Sequence, residues 1–253
     1  MVQTTQYETA NGDAAVGDSQ VDHDMLASAT MFSNLPAHVI ALVQSMSELL
    51  SVPANTVLCR QGDLASRLFL LLEGQVTLSN TEYSGVSAVV EVVRPGGHFI
   101  LTTVLAQMPY LMNAHTTVAS RVVALDAEQL LRAIQQEPLL ASAILRAEAI
   151  DFGAMVRQVC DLKLRTTAQR LGSYLIELSE VQAENSATFR LPFDKRLLAA
   201  KLGCRQENLS RAFAALRNLG VETHGARVTL HDIARLRDYA QVGSAEGGSP
   251  AGR

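Results

Sequence analysis

The stretch GCRQENLSR occupies residues 203–211 and follows a short apolar helical pattern. Gly203 is typical of a helix end, and the polar residues after it begin a second helix within two positions. The polar side chains that share roughly one face of this second helix are Gln206, Glu207, Ser210 and Arg211. Leu209, Phe213 and Leu216 fall on its other side. The pattern predicts a helix that buries one face and offers base-sized polar groups on the other.

The neighbouring sequence places this helix in a winged helix-turn-helix. Asp194 is a predicted N-cap for a helix over 195–202. The second helix is expected to run to about Leu219-Gly220, His224-Gly225 predicts a tight hairpin, and a last helix is expected near Asp232. Two short helices joined by a glycine turn and followed by a hairpin are typical of this motif, whose second helix lies in the DNA major groove.

The side chains suit a reading role in that groove. Arg211 can donate two hydrogen bonds to guanine O6 and N7, Glu207 can accept one from cytosine N4, and Ser210 can do either. Arg205 and the helix N-terminus are expected to hold phosphate. A solvated helix face would explain the polar cluster alone. It explains less well the cluster together with the turn, the hairpin and the surrounding charge.

Charge is divided unevenly along the chain, whose formal net charge is −4. Residues 163–239 contain 3 Lys and 10 Arg against 8 Asp or Glu, a balance of +5, so the remainder carries −9. A basic C-terminal third on an acidic body predicts that this third meets a polyanion.

Short β-type runs separated by turn residues occupy the N-terminal half. The runs cover 56–58, 68–72, 75–78 and 88–93, and the last strands are expected over 116–125. They predict a small antiparallel roll or barrel, preceded by a helix over 32–50. The predicted fold class is α+β, with an antiparallel β-roll at 28–136, a long dimerisation helix at 137–162 and the winged helix-turn-helix at 163–240. The small, polar segments 1–27 and 241–253 are expected to be disordered.

The long helix predicted after Pro138 carries two apolar faces. A seam spaced 4, 3, 4 and 3 residues apart consists of Leu145, Ala149, Phe152, Val156 and Val159. A second set consists of Leu140, Ile144, Ala147, Ile150 and Ala154. So regular a seam favours pairing with the same helix of a second copy, with the other face on the roll. The alternative is one helix that is buried on both sides within a single chain.

Composition and motifs exclude several classes of protein. No apolar run approaches the ~18 residues of a membrane span. The N-terminus lacks the basic segment followed by an apolar segment that is typical of a secretory signal. The 3 cysteines, Cys59, Cys160 and Cys204, are widely spaced, which favours reduced thiols in a cytoplasm over a disulfide frame or a zinc site. No Walker loop, HExxH, GxSxG or cluster of carboxylates occurs, so no enzymatic activity is expected.

The order of roll, long helix and winged helix-turn-helix resembles the cyclic-AMP receptor/FNR family of bacterial transcription regulators over about residues 32–240. Residues 52–78, with Gln61-Gly62-Asp63 and Leu72-Glu73-Gly74, resemble the family's first roll repeat. The resemblance implies a cyclic-nucleotide-binding-like roll.

The family's recognition motif resembles residues 202–211, with Glu207 and Arg211 at its base-reading positions. Ser210 makes the motif similar to the FNR branch, which reads TTGAT-type half-sites. The receptor branch reads TGTGA and has Arg at the position of Gln206.

The resemblance also bears on the effector. The family's nucleotide pocket needs Gly-Glu for the ribose and Arg followed by Ser or Thr for the phosphate. Those positions hold Leu101-Thr102 and, approximately, Met112-Asn113. A phosphate without a cation is costly to bury, so no cyclic nucleotide is expected. The FNR branch holds an iron–sulfur cluster with four cysteines, mostly N-terminal, whereas none here precedes Cys59, so no cluster is expected.

Haem is the remaining cofactor that the resemblance implies. The dissimilative nitrate respiration regulators, which this chain resembles most, and the carbon-monoxide regulators bind haem in the roll and sense a diatomic gas (NO, O2 or CO). An apolar pocket is expected from residues within 99–112, with His98 and His115 as candidate axial ligands and Met108, Met112 or Cys59 as weaker ones. Haem iron would be the only metal. The alternative is that both histidines are ordinary turn or strand residues.

Taken together, these patterns predict a cytoplasmic, sequence-specific transcriptional regulator. It is expected to be a homodimer that binds double-stranded DNA, with RNA polymerase as a further partner if it activates transcription and with no membrane contact. Regulation without any effector, or through oxidation of Cys59 or Cys160, remains open. A cyclic-nucleotide-binding protein without DNA binding is less favoured, because it would lack its pocket residues.

Overall fold

The computed structural model describes residues 16–19, 21–81, 87–179, 185–192 and 194–241. The chain divides into two compact units, Met1–Phe152 and Gly153–Arg253, and the division falls inside one long helix. The predicted α+β architecture is confirmed, with an antiparallel roll before this helix and a winged helix-turn-helix after it. The domain boundaries given above stay predictions. Residues 1–15, 20 and 242–253, where disorder was expected, lie outside the described residues.

The first unit is built from two antiparallel sheets and short helices. Its helices are α1 (His23–Ser28), α2 (Ala37–Ser45), α3 (Leu101–Leu105), α4 (Ala127–Gln136) and α5 (Pro138–Leu164), the last of which continues past the unit boundary. Its strands are β1 (Val16–Ser19), β2 (Ser47–Val52), β3 (Val57–Cys59), β4 (Arg67–Glu73), β5 (Val76–Thr81), β6 (Ser87–Val93), β7 (His98–Phe99), β8 (Asn113–Thr116) and β9 (Ser120–Asp126). One sheet has the order β1-β2-β9-β4-β7 and the other β3-β8-β5-β6.

Strand β4 separates two apolar cores, because successive side chains point to opposite faces of a sheet. Leu68 and Leu70 lie in a core shared with the helices, whereas Phe69 and Leu71 lie in a core formed by residues of both sheets. The Phe69 ring stacks on Phe99 with their centroids 5.2 Å apart. Burial on both faces explains why this strand has an uninterrupted apolar sequence.

The N-terminal part of the first unit corrects two expectations. The prediction of disorder over residues 1–27 is wrong for the described part. Strand β1 pairs with β2, and the side chains of Val21 and Leu26 are buried in the helical core. The helix expected over 32–50 ends at Ser45. The following residues pair with β9 as strand β2, and this long-range pairing overrides the local helical spacing.

Helix α5 begins at Pro138 as predicted, since a first-turn proline lacks only an N–H that would be unpaired anyway. Leu140, Ile144 and Ala147 are buried in the core of the first unit. Ile150 is 57% exposed, and Ala154 is exposed as well. The second apolar face predicted for this helix is therefore buried only along its first half.

The second unit contains the helix-turn-helix and its wing. Its elements are helices α6 (Thr167–Ser179), α7 (Lys195–Lys201), α8 (Gln206–Leu216) and α9 (Ile233–Gln241), and strands β10 (Ala187–Arg190), β11 (Val221–His224) and β12 (Arg227–Leu230). Asp194 caps α7 as predicted, its Oδ1 accepting a hydrogen bond from the Leu197 N–H at 2.8 Å. The hairpin at Gly225 is confirmed, and β10 extends it to a sheet of order β10-β12-β11. Gln241, expected to be disordered, ends α9, which packs on α6.

A glycine-ended turn joins α7 to α8. The Cys204 N–H donates to the Ala199 carbonyl and the Gly203 N–H to the Ala200 carbonyl, each at 2.9 Å, which is the Schellman pattern. Gly203 has a φ of +61°, in the left-handed region. A Cβ at this residue would lie 2.6 Å from Cδ2 of Leu162 on α5. The turn thus requires glycine both for its backbone conformation and for the close approach of α5.

We expect Gly203→Ala to lower the free energy of unfolding by roughly 1–2 kcal/mol through the left-handed backbone alone, and further through the crowding of Leu162. Gly225→Ala is the matched control, because Gly225 has a φ of +63° and open space within 4 Å of the point where an added Cβ would lie. Urea unfolding of the full chain, followed by circular dichroism, measures both. Equal losses in the two variants would show that the Leu162 contact contributes nothing.

Candidate nucleic-acid interface

The outer face of α8 gathers the predicted base-reading residues. Their side chains are all exposed, namely Gln206, Glu207, Ser210 and Arg211. At about 100° per residue, the last three lie within an arc of about 100°. Leu209, Phe213 and Leu216 are buried on the opposite side, which fixes the rotation of the helix about its axis. The structure therefore brings the predicted polar set together on one free surface.

Local chemistry sets what each polar group can offer. The Ser210 hydroxyl donates to the Gln206 carbonyl at 3.0 Å, so its oxygen keeps lone pairs for a donor such as a base amino group. Glu207 lies in the first turn of α8, where the helix dipole favours a negative charge. Arg205 is the N-cap residue and is exposed beside the unpaired N–H groups of that turn. The surface combines an acceptor, a cation and helix N–H donors.

A side chain that the sequence did not point to holds the turn in place. The Arg170 guanidinium, on α6, donates from Nε to the Leu202 carbonyl at 3.0 Å and from Nη1 to the Arg165 carbonyl at 2.8 Å. Arg165 in turn contacts Asp161 on α5 at 3.3 Å. Arg170 therefore ties the end of α7 to the segment that follows α5. An arginine at this position of an amphipathic helix gives no sequence signal of such a role.

The predicted pairing seam of α5 is open to solvent. Leu145, Phe152, Val156 and Val159 are between 44% and 72% exposed, and Ala149 is exposed between them. Large apolar side chains rarely lie in a continuous exposed row unless another surface covers them. The structure does not place this seam against the rest of the described chain, which was the alternative to a paired helix.

The four roll positions where the resemblance predicts the family's nucleotide-binding residues are engaged within the protein. Leu101 is 2% exposed and packs in the helical core, and the Thr102 hydroxyl donates to Glu148 on α5 at 3.2 Å. Met112 packs against the core between the sheets. The Asn113 side chain accepts from the Gln61 N–H at 3.0 Å and donates to the Thr81 hydroxyl at 3.3 Å. None of these four positions offers a cation to a phosphate.

The candidate haem ligands are separated and already bonded. His98 lies on β7 with its Nε2 2.8 Å from Asp151, whereas His115 lies on β8 of the other sheet with its Nε2 2.8 Å from the Thr77 hydroxyl. Burial lowers the pKa of His115, because it disfavours the charged form of the ring. Met108 is 45% exposed.

The apolar residues expected to line the haem pocket are divided between two cores. Phe99 and Ile100 belong to the core between the sheets, whereas Leu101 and Val104 belong to the helical core. A porphyrin needs one broad apolar slot beside its axial ligand. The arrangement of these residues does not fit haem.

The cysteines differ in their burial. Cys59 is buried, and burial raises the pKa of its thiol to about 12, so its thiolate is scarce near neutral pH. Cys160 is exposed on α5. In the described ranges, no group of three His, Cys, Asp or Glu side chains is placed as metal ligands would be. Of the helices that the structure describes, none has the length and apolar character needed to cross a bilayer.

Comparison with known proteins identifies both units. Residues 49–137 match the cyclic nucleotide-binding domain, and residues 169–239 match the Crp-like helix-turn-helix domain. A CRP-like cAMP-activated global transcriptional regulator of Mycobacterium tuberculosis is 21% identical over 222 residues, which cover 86% of this chain and 99% of the relative. A global nitrogen regulator of Nostoc is 25% identical over 183 residues, covering 70% and 82%.

A solved structure shows the same arrangement of elements. It is a protein of Ruegeria pomeroyi with a provisional assignment as a cyclic nucleotide binding protein, 28% identical, with a TM-score of 0.60 over 86% of this chain and 96% of that one. The two domain matches follow each other in the order found in the full-length regulators, and the relatives regulate transcription rather than catalyse reactions. This chain therefore belongs to the CRP/FNR family of transcriptional regulators, with a cyclic nucleotide-binding-like domain followed by a helix-turn-helix DNA-binding domain.

Proposed function

We propose that the protein is a cytoplasmic homodimer that binds palindromic DNA with TTGAT-type half-sites. Glu207, Ser210 and Arg211 read base edges, Gln206 lies beside them, and Arg205 holds backbone phosphate. The observation that carries this proposal is the joint exposure of these side chains on α8 opposite a buried apolar face. If the protein activates transcription, RNA polymerase is its further partner.

The proposed dimer pairs the exposed seam of α5 with the same seam of a second copy. Heptad spacing and exposed apolar side chains support helix pairing. A two-fold axis would present two α8 helices to half-sites one helical turn apart, about 34 Å. A palindromic site matches that symmetry.

The sensor domain is proposed to work without a cyclic nucleotide. The Mycobacterium tuberculosis relative is cAMP-activated by name, but Leu101, Thr102, Met112 and Asn113 stand where the resemblance predicts the residues that such a ligand needs. Effector-independent regulation fits the engaged roll best. If the protein is regulated by thiol oxidation, the exposed Cys160 is the proposed site rather than Cys59. Burial raises the pKa of the Cys59 thiol and so disfavours its ionisation.

Replacing Arg211 with Ala should cost about 1–3 kcal/mol on a TTGAT-N4-ATCAA duplex and relax selectivity at the guanine, because two hydrogen bonds to one base are lost. Fluorescence anisotropy with this duplex and with a random duplex measures the change. Replacing the guanine of the duplex with 7-deazaguanine, which lacks N7, should weaken DNA binding by the unaltered protein but not by the variant. Equal losses of Arg211→Ala on both duplexes would contradict a base-reading role.

Replacing Phe152 with Glu should convert the dimer to monomers, because a charge would be buried in the centre of the paired seam. Sedimentation velocity at micromolar concentration reports the change in mass. Ala154→Glu adds the same charge to an exposed position on the far side of α5 and should leave the dimer intact. Dissociation by both variants, or by neither, would argue against this seam.

Titration with cyclic AMP or cyclic GMP should give no micromolar binding and no change in DNA affinity, since the phosphate would find no cation at the four roll positions. Calorimetry measures nucleotide binding, and fluorescence anisotropy measures DNA affinity. Haemin addition should likewise produce no Soret band. A Soret band that disappears in His98→Ala would restore the haem interpretation, and saturable nucleotide binding would overturn the proposed sensor.

A further inference from the structure

The guanidinium of Arg170 holds the carboxyl-terminal ends of two helices at once. Its Nη1 donates at 2.8 Å to the carbonyl of Arg165, the first residue after α5. Its Nε donates at 3.0 Å to the carbonyl of Leu202, the C-cap residue of α7. Carbonyl groups at the end of a helix lack partners within that helix, and the helix dipole favours a cation beside them. One arginine therefore satisfies two helix ends that are far apart in the sequence.

Helix α6 meets the end of α7 through two successive turns. Arg170 and Tyr174 are four residues apart on α6, so they lie on the same face of this helix. The Tyr174 ring is buried, and Nζ of Lys201 lies 5.8 Å from its centroid, within the range of a cation–π contact. Arg170 and Tyr174 thus contact the consecutive residues Lys201 and Leu202. The end of α7 is held by α6 at two points rather than at one.

Apolar packing and hydrogen bonds constrain α8 in different ways. The buried side chains of Leu209 and Leu216 fix the rotation of α8 about its axis, but the hydrophobic effect has no preferred direction. A hydrogen bond needs a distance of about 2.9 Å and a nearly linear donor, so it fixes the position of the carbonyl that accepts it. Only the short Schellman turn separates Leu202 from Arg205, the N-cap residue of α8. The position of Leu202 therefore determines the point from which α8 starts.

We propose that Arg170 is a positioning residue for sequence selection, because its two hydrogen bonds set the angle at which α8 presents its outer face to the bases. This inference rests on the proposed function of that face. A side chain that makes two hydrogen bonds to one base tolerates little displacement, since both bonds need good geometry at once. Arg170 acts through the turn and not by contact with a base. General attraction to DNA depends on charge, which the bridge does not alter.

Arg170→Lys tests this role while keeping the charge. An ammonium lacks the planar fork of a guanidinium, so it cannot hold both carbonyls in the same geometry. Fluorescence anisotropy should show at least about tenfold weaker binding of the TTGAT-N4-ATCAA duplex, since loss of one such base contact costs roughly 5–150-fold. Affinity for a random duplex and its salt dependence should not change, because the number of cations is the same. The matched control is Arg237→Lys, which alters an exposed arginine of α9 and should change neither affinity.

A double-mutant cycle with Arg211→Ala separates positioning from a purely structural role. If Arg170 acts by aligning Arg211, the loss that Arg211→Ala causes on the specific duplex should be at least about twofold smaller in the Arg170→Lys background. Losses that simply multiply would overturn the inference. So would unchanged binding of the specific duplex by Arg170→Lys, or equal weakening on the specific and random duplexes.

The DNA-free protein offers a measurement that does not depend on the proposed function. Residual dipolar couplings of the backbone amides report the angle between α6 and α8, and Arg170→Lys should change this angle while circular dichroism shows that the helices are retained. An unchanged angle would contradict the inference. If the unaltered protein binds neither duplex, the proposed function itself fails, and the dipolar couplings still test the bridge.

Discussion

Burial of one apolar face of α8 is the constraint on which the proposed DNA-reading surface depends. Leu209 and Leu216 are at most 1% exposed, so the helix cannot rotate about its axis without exposing them. Each such side chain contributes roughly 1.5–3 kcal/mol through burial. Glu207, Ser210 and Arg211 are held outward by this packing rather than by bonds of their own. The Schellman turn at Gly203 and the Arg170 bridge then set where the helix begins.

The proposed base-reading face of α8 also carries Glu207, an anion that weakens general attraction to DNA. In protein–DNA complexes, phosphate contacts generally position a protein and base contacts select the sequence. In the proposed complex, the balance of +5 over residues 163–239 supplies the general attraction.

Helix caps and glycine turns made much of this fold predictable from sequence. Asp194 acts through its own side chain, and Gly203 and Gly225 act through their own backbone, so the cap, the turn and the hairpin were predicted within a residue or two. Strand β10 and the Arg170 bridge were missed, because both depend on partners far along the chain. The end of α2 was predicted too late in the sequence for the same reason, because β2 forms by pairing with the distant strand β9. Sequence likewise predicted which residues share the outer face of α8, because helical periodicity depends on neighbouring residues alone.

The balance of forces along α5 limits how the roll can act on it. Leu140 and Ile144 anchor the start of the helix in the first unit's core by several kcal/mol together. The contacts of His98 with Asp151 and of Thr102 with Glu148 are partly exposed and contribute at most about 1 kcal/mol each. Inverting a two-state population from 1:99 to 99:1 needs about 5.5 kcal/mol, more than these two contacts supply. The buried side chains of Leu140 and Ile144 therefore hold the start of α5 to the first unit more strongly than the two polar contacts hold Glu148 and Asp151.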